Sequence, residues 1–354
     1  MKGKTGLLVL IAFFLLFGIL MISDVSLLEA ERNFGDRLYF IKHHLFWVGI
    51  GLTAMLAIST FKYQFWTKIS FYLYLLSIVL LIIVLIPGIG VTVYGAQRWI
   101  DIGFVHFQPS EIVKLFLIIY LSSLFFSKEN VSICQLFLVL LPPVGLTLAQ
   151  PDFATASIMV ALGLAVYFLS GASLKKIIIP SIVFLVLGVF FILTSPYRKE
   201  RVAGLLDPFY DPLGKSYHAH QLTLTLGSGG IWGVGMGESR QKYLYLPQVT
   251  TDSIMAVVAE EFGLVGMTVF LASFSVLIAT IFKIASRAKD KLGKILAGGI
   301  GCWIGLQGLI NLSAVAVLLP LTGVTFPFIS YGGSSLLSIM IAMGIVLNIN
   351  KQNQ

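Results

Sequence analysis

The chain has 354 residues, of which 57% are hydrophobic and only 11% charged, with a formal net charge of +8. Soluble domains carry roughly a quarter charged residues, so this composition and a mean hydropathy of +0.94 exclude an ordinary water-soluble fold. The basic residues sit in short stretches between apolar runs. That pattern fits membrane topology and anionic lipid, and argues against nucleic-acid binding.

A membrane-spanning helix needs about 20 mostly apolar residues. By that measure the chain predicts about ten, at approximately 6–23, 44–60, 69–88, 111–126, 133–149, 154–170, 176–195, 253–282, 295–318 and 331–349. The hydrocarbon core offers no partner to free backbone groups, so these segments are expected to be helical, and the short alternating segments of a β-barrel are absent. The start, Met1-Lys2-Gly3-Lys4, resembles the basic region of a signal peptide. No small-residue cleavage site follows Gly6 to Ile22, so this run reads as a retained first helix. The short cluster Lys283, Arg287, Lys289, Lys291 and Lys294 is the best anchor for orientation and places the N- and C-termini in the cytoplasm. The expected fold is therefore an all-α polytopic membrane protein of one domain, 1–354, with a large extracytoplasmic loop, about 196–252, between the seventh and eighth helices. Cys134 and Cys302 lie in apolar segments and read as buried, unreactive thiols.

Two outer segments are unlike ordinary connectors: Gly88 to Ser110, and the much longer Pro196 to Thr251. Segments of that length are functional or disordered, and the aromatic, proline and glycine clusters of the second argue for a folded loop. Ionisable groups at or within spans are costly and mark function by default. Glu111 and Lys114, three residues apart, share a helix face. Asp152 follows Pro151 between two apolar runs, where capping and function are both open. Asp252 stands at the outer start of the eighth span, where the bland account is again an N-cap. Glu260 and Glu261 lie two turns deeper, about 100° apart, and are not expected to face one partner. The outward-facing basic set Arg98, Lys114, Arg240 and Lys242 suits phosphate or pyrophosphate, set against ordinary loop solvation. His218 and His220 lack further ligands at zinc spacing, and the glycine clusters match no nucleotide fingerprint. These residues fit an enzyme acting on a lipid-linked phosphate substrate, or a transporter of one.

Several motifs bear a family resemblance. Gly95-Ala96-Gln97-Arg98-Trp99-Ile100-Asp101, continuing to Gln108-Pro109-Ser110-Glu111-Ile112-Val113-Lys114, resembles a signature of the SEDS family (shape, elongation, division and sporulation). Pro151-Asp152-Phe153, Gly229-Gly230-Ile231-Trp232-Gly233, Gln241-Lys242-Tyr243-Leu244-Tyr245-Leu246-Pro247, Thr251-Asp252, Glu260-Glu261-Phe262-Gly263 and Ser330-Tyr331-Gly332-Gly333-Ser334 follow in the family's order. The N-terminal pattern is closer to the division-type FtsW branch than to the elongation-type RodA branch. Thr250 stands where the family usually has His, Gln248 where Glu is common, Ser253 in place of an aromatic, Ala154 in place of Gly and His218 in place of Gln.

The resemblance implies a peptidoglycan glycosyltransferase in the bacterial cytoplasmic membrane, active on the outer side. It would polymerise lipid II, a disaccharide-pentapeptide on undecaprenyl pyrophosphate, during septal cell-wall synthesis. The implied partners are a class B penicillin-binding protein and other divisome or elongation-complex membrane proteins. A lipid II flippase is the alternative. Asp252 is implied as catalytic base, with Arg98, Lys114 and Lys242 contacting pyrophosphate, Glu111 orienting Lys114 and Asp152 shaping the cavity. No protein metal site is expected, though a divalent cation, magnesium or manganese, could share the pyrophosphate role.

Overall fold

The computed structural model describes residues 3–93, 96–101, 103, 106–127, 132–193, 196–243, 245–320 and 322–353. Met1 and Lys2 of the N-terminal signal, and Gly95 and Leu244 of the motifs, lie outside the described residues. In chain order the helices are α1 (Gly3–Val25), α2 (Leu27–Phe34), α3 (Tyr39–Thr60), α4 (Phe65–Leu85), α5 (Pro109–Ser127), α6 (Ile133–Ala149), α7 (Phe153–Leu169), α8 (Lys175–Leu193), α9 (Pro196–Leu206), α10 (Tyr217–Gly229), α11 (Ile254–Ser286), α12 (Lys291–Val315) and α13 (Gly333–Gln352). Each of the ten predicted apolar stretches overlaps one of them. Among the described residues α1, α3, α4, α5, α11, α12 and α13 are long and apolar enough to cross a membrane, and α6 and α7 are shorter apolar helices.

Local chemistry sets several boundaries. Ser132 and Gln135 form a reciprocal capping box at the start of α6. Asp290 caps α12 by accepting from Gly293 N at 2.7 Å. Burial then divides the spans. In α13, α12 and α5 the buried share of the apolar window is 83%, 67% and 61%, against 22% in α3, α4 and α11. The first three form the centre of the bundle; α13 packs on α3, α5 on α4, and α12 on α7 and α11.

Four features depart from the sequence reading. The Gly88–Ser110 segment is not all loop, for it holds an antiparallel sheet of β1 (Gly90–Val93), β2 (Ala96–Asp101) and β3 (His106–Phe107). Its β-branched and aromatic residues favour strand, and strands are tolerated where the chain leaves the hydrocarbon layer. The long 196–252 connection contains two helices, α9 and α10. Cys134 is exposed, not buried, because α6 is an outer helix, and Cys302 is half-buried.

The fourth departure is a break in α11. Gly263 has φ 64° and ψ −169°, a conformation essentially restricted to glycine. In an unbroken helix Leu264 and Val265 N–H would bond to the carbonyls of Glu260 and Glu261. Instead they donate to Gly230 O at 3.0 Å and Ile231 O at 3.1 Å. The vacated carbonyls accept from Val234 N at 3.0 Å and Gly235 N at 3.1 Å. The Gly230–Gly235 segment is thus inserted into the helix ladder, and these two N–H groups and two carbonyls are satisfied by it, as an embedded helix requires. A Cβ on Gly233 would lie 2.1 Å from Glu261 O, and one on Gly263 2.2 Å from Gly233 N. The glycine run of the motif is explained by this close approach.

Candidate active site

The polar groups collect at the end of the bundle where α5 and α11 begin, in four clusters. The innermost is built on α5 and α12. Lys114 Nζ lies 2.8 Å from Glu111 Oε1 and 2.8 Å from Gln307 Oε1, with Lys114 1% exposed. Trp303 Nε1 donates to the same Gln307 oxygen at 2.8 Å, and the Trp303 ring sits under the Lys114 ammonium. Gln307 Nε2 donates to Thr325 O at 3.1 Å and Ser335 Oγ at 3.2 Å, tying in the segment before α13. Glu111 lines a small cavity with Trp99, Gln108, Thr155, Thr325 and Ser334, and its buried Oε2 has no hydrogen-bond partner among the described residues.

The second cluster borders the same cavity through Thr155. Asp152 caps α7, accepting from Thr155 N at 3.1 Å and Oγ1 at 2.8 Å. Arg98, presented by β2, stands 3.8 Å from Asp152 Oδ2 and donates to Pro151 O. Both accounts of Asp152 therefore hold at once: it caps and it pairs with a cation.

The third surrounds Asp252, which is 6% exposed. It does not cap α11, which starts at Ile254 with Ser253 as its N-cap residue. Gln248, in a left-handed conformation with φ 53°, brings its carboxamide nitrogen within 2.8 and 3.1 Å of the two Asp252 oxygens when the amide is oriented to donate. Thr251 Oγ1 donates to Asp252 Oδ1 at 3.3 Å. Asn311 Nδ2 donates to Asp252 O at 2.9 Å and Val324 O at 2.8 Å. His218 Nε2 lies 2.8 Å from Ser253 Oγ, so two of the departures from the family pattern answer each other. Tyr331 N donates to Thr250 O at 2.9 Å. From α2, the Glu29 carboxyl is held above its ordinary range by burial, partly offset by a hydrogen bond with Thr250.

The fourth lies where α1, the outer loop and α11 meet. Lys242 Nζ contacts Asp24 Oδ1 at 2.7 Å, Glu261 Oε1 at 2.9 Å and Gly237 O at 2.8 Å. Burial lowers the Lys242 pKa, but the two carboxylates outweigh it and leave it raised. Glu260 accepts from Ser228 and Ser239, and Ser239 N donates to Glu261 Oε1. Contrary to the helical-wheel reading, Glu260 and Glu261 share a partner, because the inserted loop wraps the helix on both sides.

The structure thus joins Glu111 with Lys114 and Arg98 with Asp152, and one small cavity is lined by Glu111 of the first pair and by Thr155, the partner of Asp152. Asp252 is linked to them through α12: Gln307 and Asn311 are one turn apart, about 6 Å along the axis, and grip the adjacent Thr325 and Val324. Among the described residues Lys242 contacts none of these, and its ammonium is engaged by Asp24, Gly237 and Glu261. Sequence reasoning missed Asp24, Glu29, Ser239, Trp303, Gln307 and Asn311. For Gln307 and Asn311 a signal existed, two amides four residues apart in an apolar span.

A helical chain with charged groups buried at one end of its bundle, beneath a long folded connection, defines a polytopic membrane protein with an interfacial polar site. The chain belongs to the FtsW/RodA/SpoVE family of cell cycle proteins, whose model matches residues 5–354. The SEDS resemblance is borne out. Stage V sporulation protein E of Bacillus subtilis is 37% identical over 98% of this chain and 97% of its own length. A probable peptidoglycan glycosyltransferase FtsW of Coxiella burnetii is 39% identical over 95% of this chain and 92% of its own. Among solved structures, a chain of a peptidoglycan synthase complex that coordinates polymerization and crosslinking is 27% identical with a TM-score of 0.78, covering 98% of this chain and 97% of that one. The rod shape determining protein RodA of Thermus thermophilus shares the fold at 24% identity and a TM-score of 0.71, covering 98% and 96%.

Proposed function

We propose that this chain is a peptidoglycan glycosyltransferase that polymerises lipid II, with Asp252 as the general base. The observation that carries the reading is the placement of Asp252: a nearly buried carboxylate, fixed by Gln248 and by Asn311, at the same end of the bundle as two carboxylate–cation pairs. The names of its FtsW relatives and the crosslinking complex among its structural neighbours support the same activity.

In this mechanism the 4-hydroxyl of one disaccharide attacks the anomeric carbon of another. Asp252 takes the hydroxyl proton, the new C–O bond forms, and the bond to undecaprenyl pyrophosphate breaks. General-base assistance of this kind is worth roughly 10²–10⁴-fold. Positive charge fixed near the departing pyrophosphate stabilises the transition state further. Arg98, the most accessible of the three cations, contacts the pyrophosphate directly. Lys114 acts through Glu111 at the cavity wall, and Lys242 reaches substrate only by exchanging Asp24. Asp152 holds Arg98 at the rim. Among the described residues no three His, Cys, Asp or Glu side chains converge to hold a metal ion. A magnesium or manganese ion would therefore rest chiefly on the pyrophosphate oxygens, with one or two carboxylates, as magnesium commonly does.

The proposed setting is the cytoplasmic membrane, both termini inside and Asp252 outside, in septal synthesis beside a class B penicillin-binding protein. The test is polymerisation of purified lipid II by the reconstituted protein with that partner, its transpeptidase blocked. Long glycan strands from wild type and none from a folded Asp252→Asn protein support the reading. Equal strands from both would remove Asp252 from the chemistry. No strands from either, with lipid II scrambling detected, would favour a flippase.

A further inference from the structure

At the far end of α11 and α12 from Asp252, an open cleft of about 470 Å³ is bounded by Ser170 and Gly171 after α7, by Ser286, and by Lys289, Lys291 and Lys294. Its charge is one-sided. Five cations stand between residues 283 and 294, against the single carboxylate of Asp290. Asp290 is committed to capping α12. No ion pair involves Lys283, Arg287, Lys289, Lys291 or Lys294 among the described residues, whereas Arg98, Lys114 and Lys242 at the other end are paired. Lys175 and Lys176 open α8 at the same end and add no acid. Leu169 and Ala288 add apolar surface to the lining, and the lining segments are flanked by exposed apolar residues: Phe168 precedes Leu169, Leu174 follows Gly171 by three positions, and Phe282 lies one turn before Ser286 on α11. Phe168 is 48% exposed, Leu174 61% and Phe282 36%. Exposed apolar residues flanking, in sequence, the segments that line a lysine-rich cleft match a molecule that is anionic at one end and hydrocarbon at the other.

From this juxtaposition we infer that the cleft binds the phosphate headgroup of an anionic phospholipid, its acyl chains lying along Phe168, Leu174 and Phe282. Basic pockets between helix ends hold such headgroups, each lysine contributing about 5-fold in affinity near an anionic surface. A soluble phosphate would use the lysines alone and leave the apolar wall without a role.

The test uses the full-length protein in detergent micelles doped with equal phosphatidylglycerol and phosphatidylcholine, with bound lipid counted by native mass spectrometry. Wild type is expected to retain phosphatidylglycerol selectively. The triple variant Lys289→Gln, Lys291→Gln, Lys294→Gln is expected to lose about 100-fold in affinity, the product of three lysines. The variant Lys175→Gln, Lys176→Gln, outside the cleft, is expected to keep it. Excess inorganic phosphate is expected not to displace the lipid. Equal retention by the triple variant, equal loss by the control, or displacement by phosphate would each overturn the inference. Should the triple variant fail to fold, wild type alone decides: no preference for phosphatidylglycerol over phosphatidylcholine refutes it.

Discussion

Replacing Lys114 with Met removes one partner of a buried ion pair and leaves the other in place. The Lys114–Glu111 contact of 2.8 Å corresponds to about 6 kcal/mol of gross attraction at an effective dielectric of roughly 20. Most of that offsets desolvation, so the pair itself is worth far less. The single substitution is different. Glu111 Oε2 already has no hydrogen bond, and Lys114 is the partner of Oε1. Lys114→Met therefore leaves a buried carboxylate with neither oxygen satisfied, a loss of about 3–5 kcal/mol. Gln307 keeps Trp303 as a donor to its oxygen and adds little to the penalty. Substituting both, Glu111→Leu with Lys114→Met, replaces the pair by apolar groups of similar size and is expected to restore most of the stability. Lipid II polymerisation is expected to stay lost. Thermal melts in detergent read the first quantity and glycan synthesis the second. A double variant as unstable as the single one would refute the ion-pair argument. A double variant that polymerises normally would show the pair to be a helix anchor only.

Asp252→Asn is expected to lower polymerisation by roughly 10²–10⁴-fold at unchanged melting temperature. Asn311→Leu leaves the buried carbonyls of Asp252 and Val324 without their amide donor, each worth about 1–3 kcal/mol. Its turnover is expected to fall more than its KM for lipid II rises, a split that simple destabilisation would not produce. Glu29 binds its proton more tightly in the folded protein than its ordinary value of 4.5 allows, so stability falls as pH rises from 4.5 through the raised folded value. Glu29→Gln is expected to flatten that slope in melting curves taken from pH 4 to 7, and parallel curves would contradict it. Gly263→Ala forces a Cβ to 2.2 Å from Gly233 N and is expected to prevent folded protein from accumulating, whereas Gly145→Ala in α6 meets no atom within 4 Å and should be neutral, as size-exclusion profiles will show.

The helical bundle was legible because burial in lipid leaves a simple record: long apolar runs, with charge pushed to their ends. The Glu111–Lys114 pair was legible for the same reason, since three-residue spacing in one helix fixes a shared face. The partners of Asp252 were not. Gln248 reaches it through a left-handed backbone, and Asn311 comes from a helix 59 positions later in sequence, which no local periodicity encodes. Lys242 reads as an available cation in sequence, yet Asp24, 218 positions away, engages it in the fold. The glycine motif was visible as a motif, but its cause, a loop lying inside the hydrogen bonds of a helix, follows only from tertiary contact.

That insertion changes what counts as a module in this chain. A loop joined to a helix only at its end can be lengthened, swapped or grafted. Here the outer connection and the first turns of α11 hold each other's backbone bonds, so neither has an independent outline. A chimaera that imports residues 230–235 from a relative while keeping the native helix would need both sides of the seam to agree at Glu260, Glu261, Leu264 and Val265. The smallest transferable unit runs from the end of α10 past Gly263, and it carries Asp252 with it.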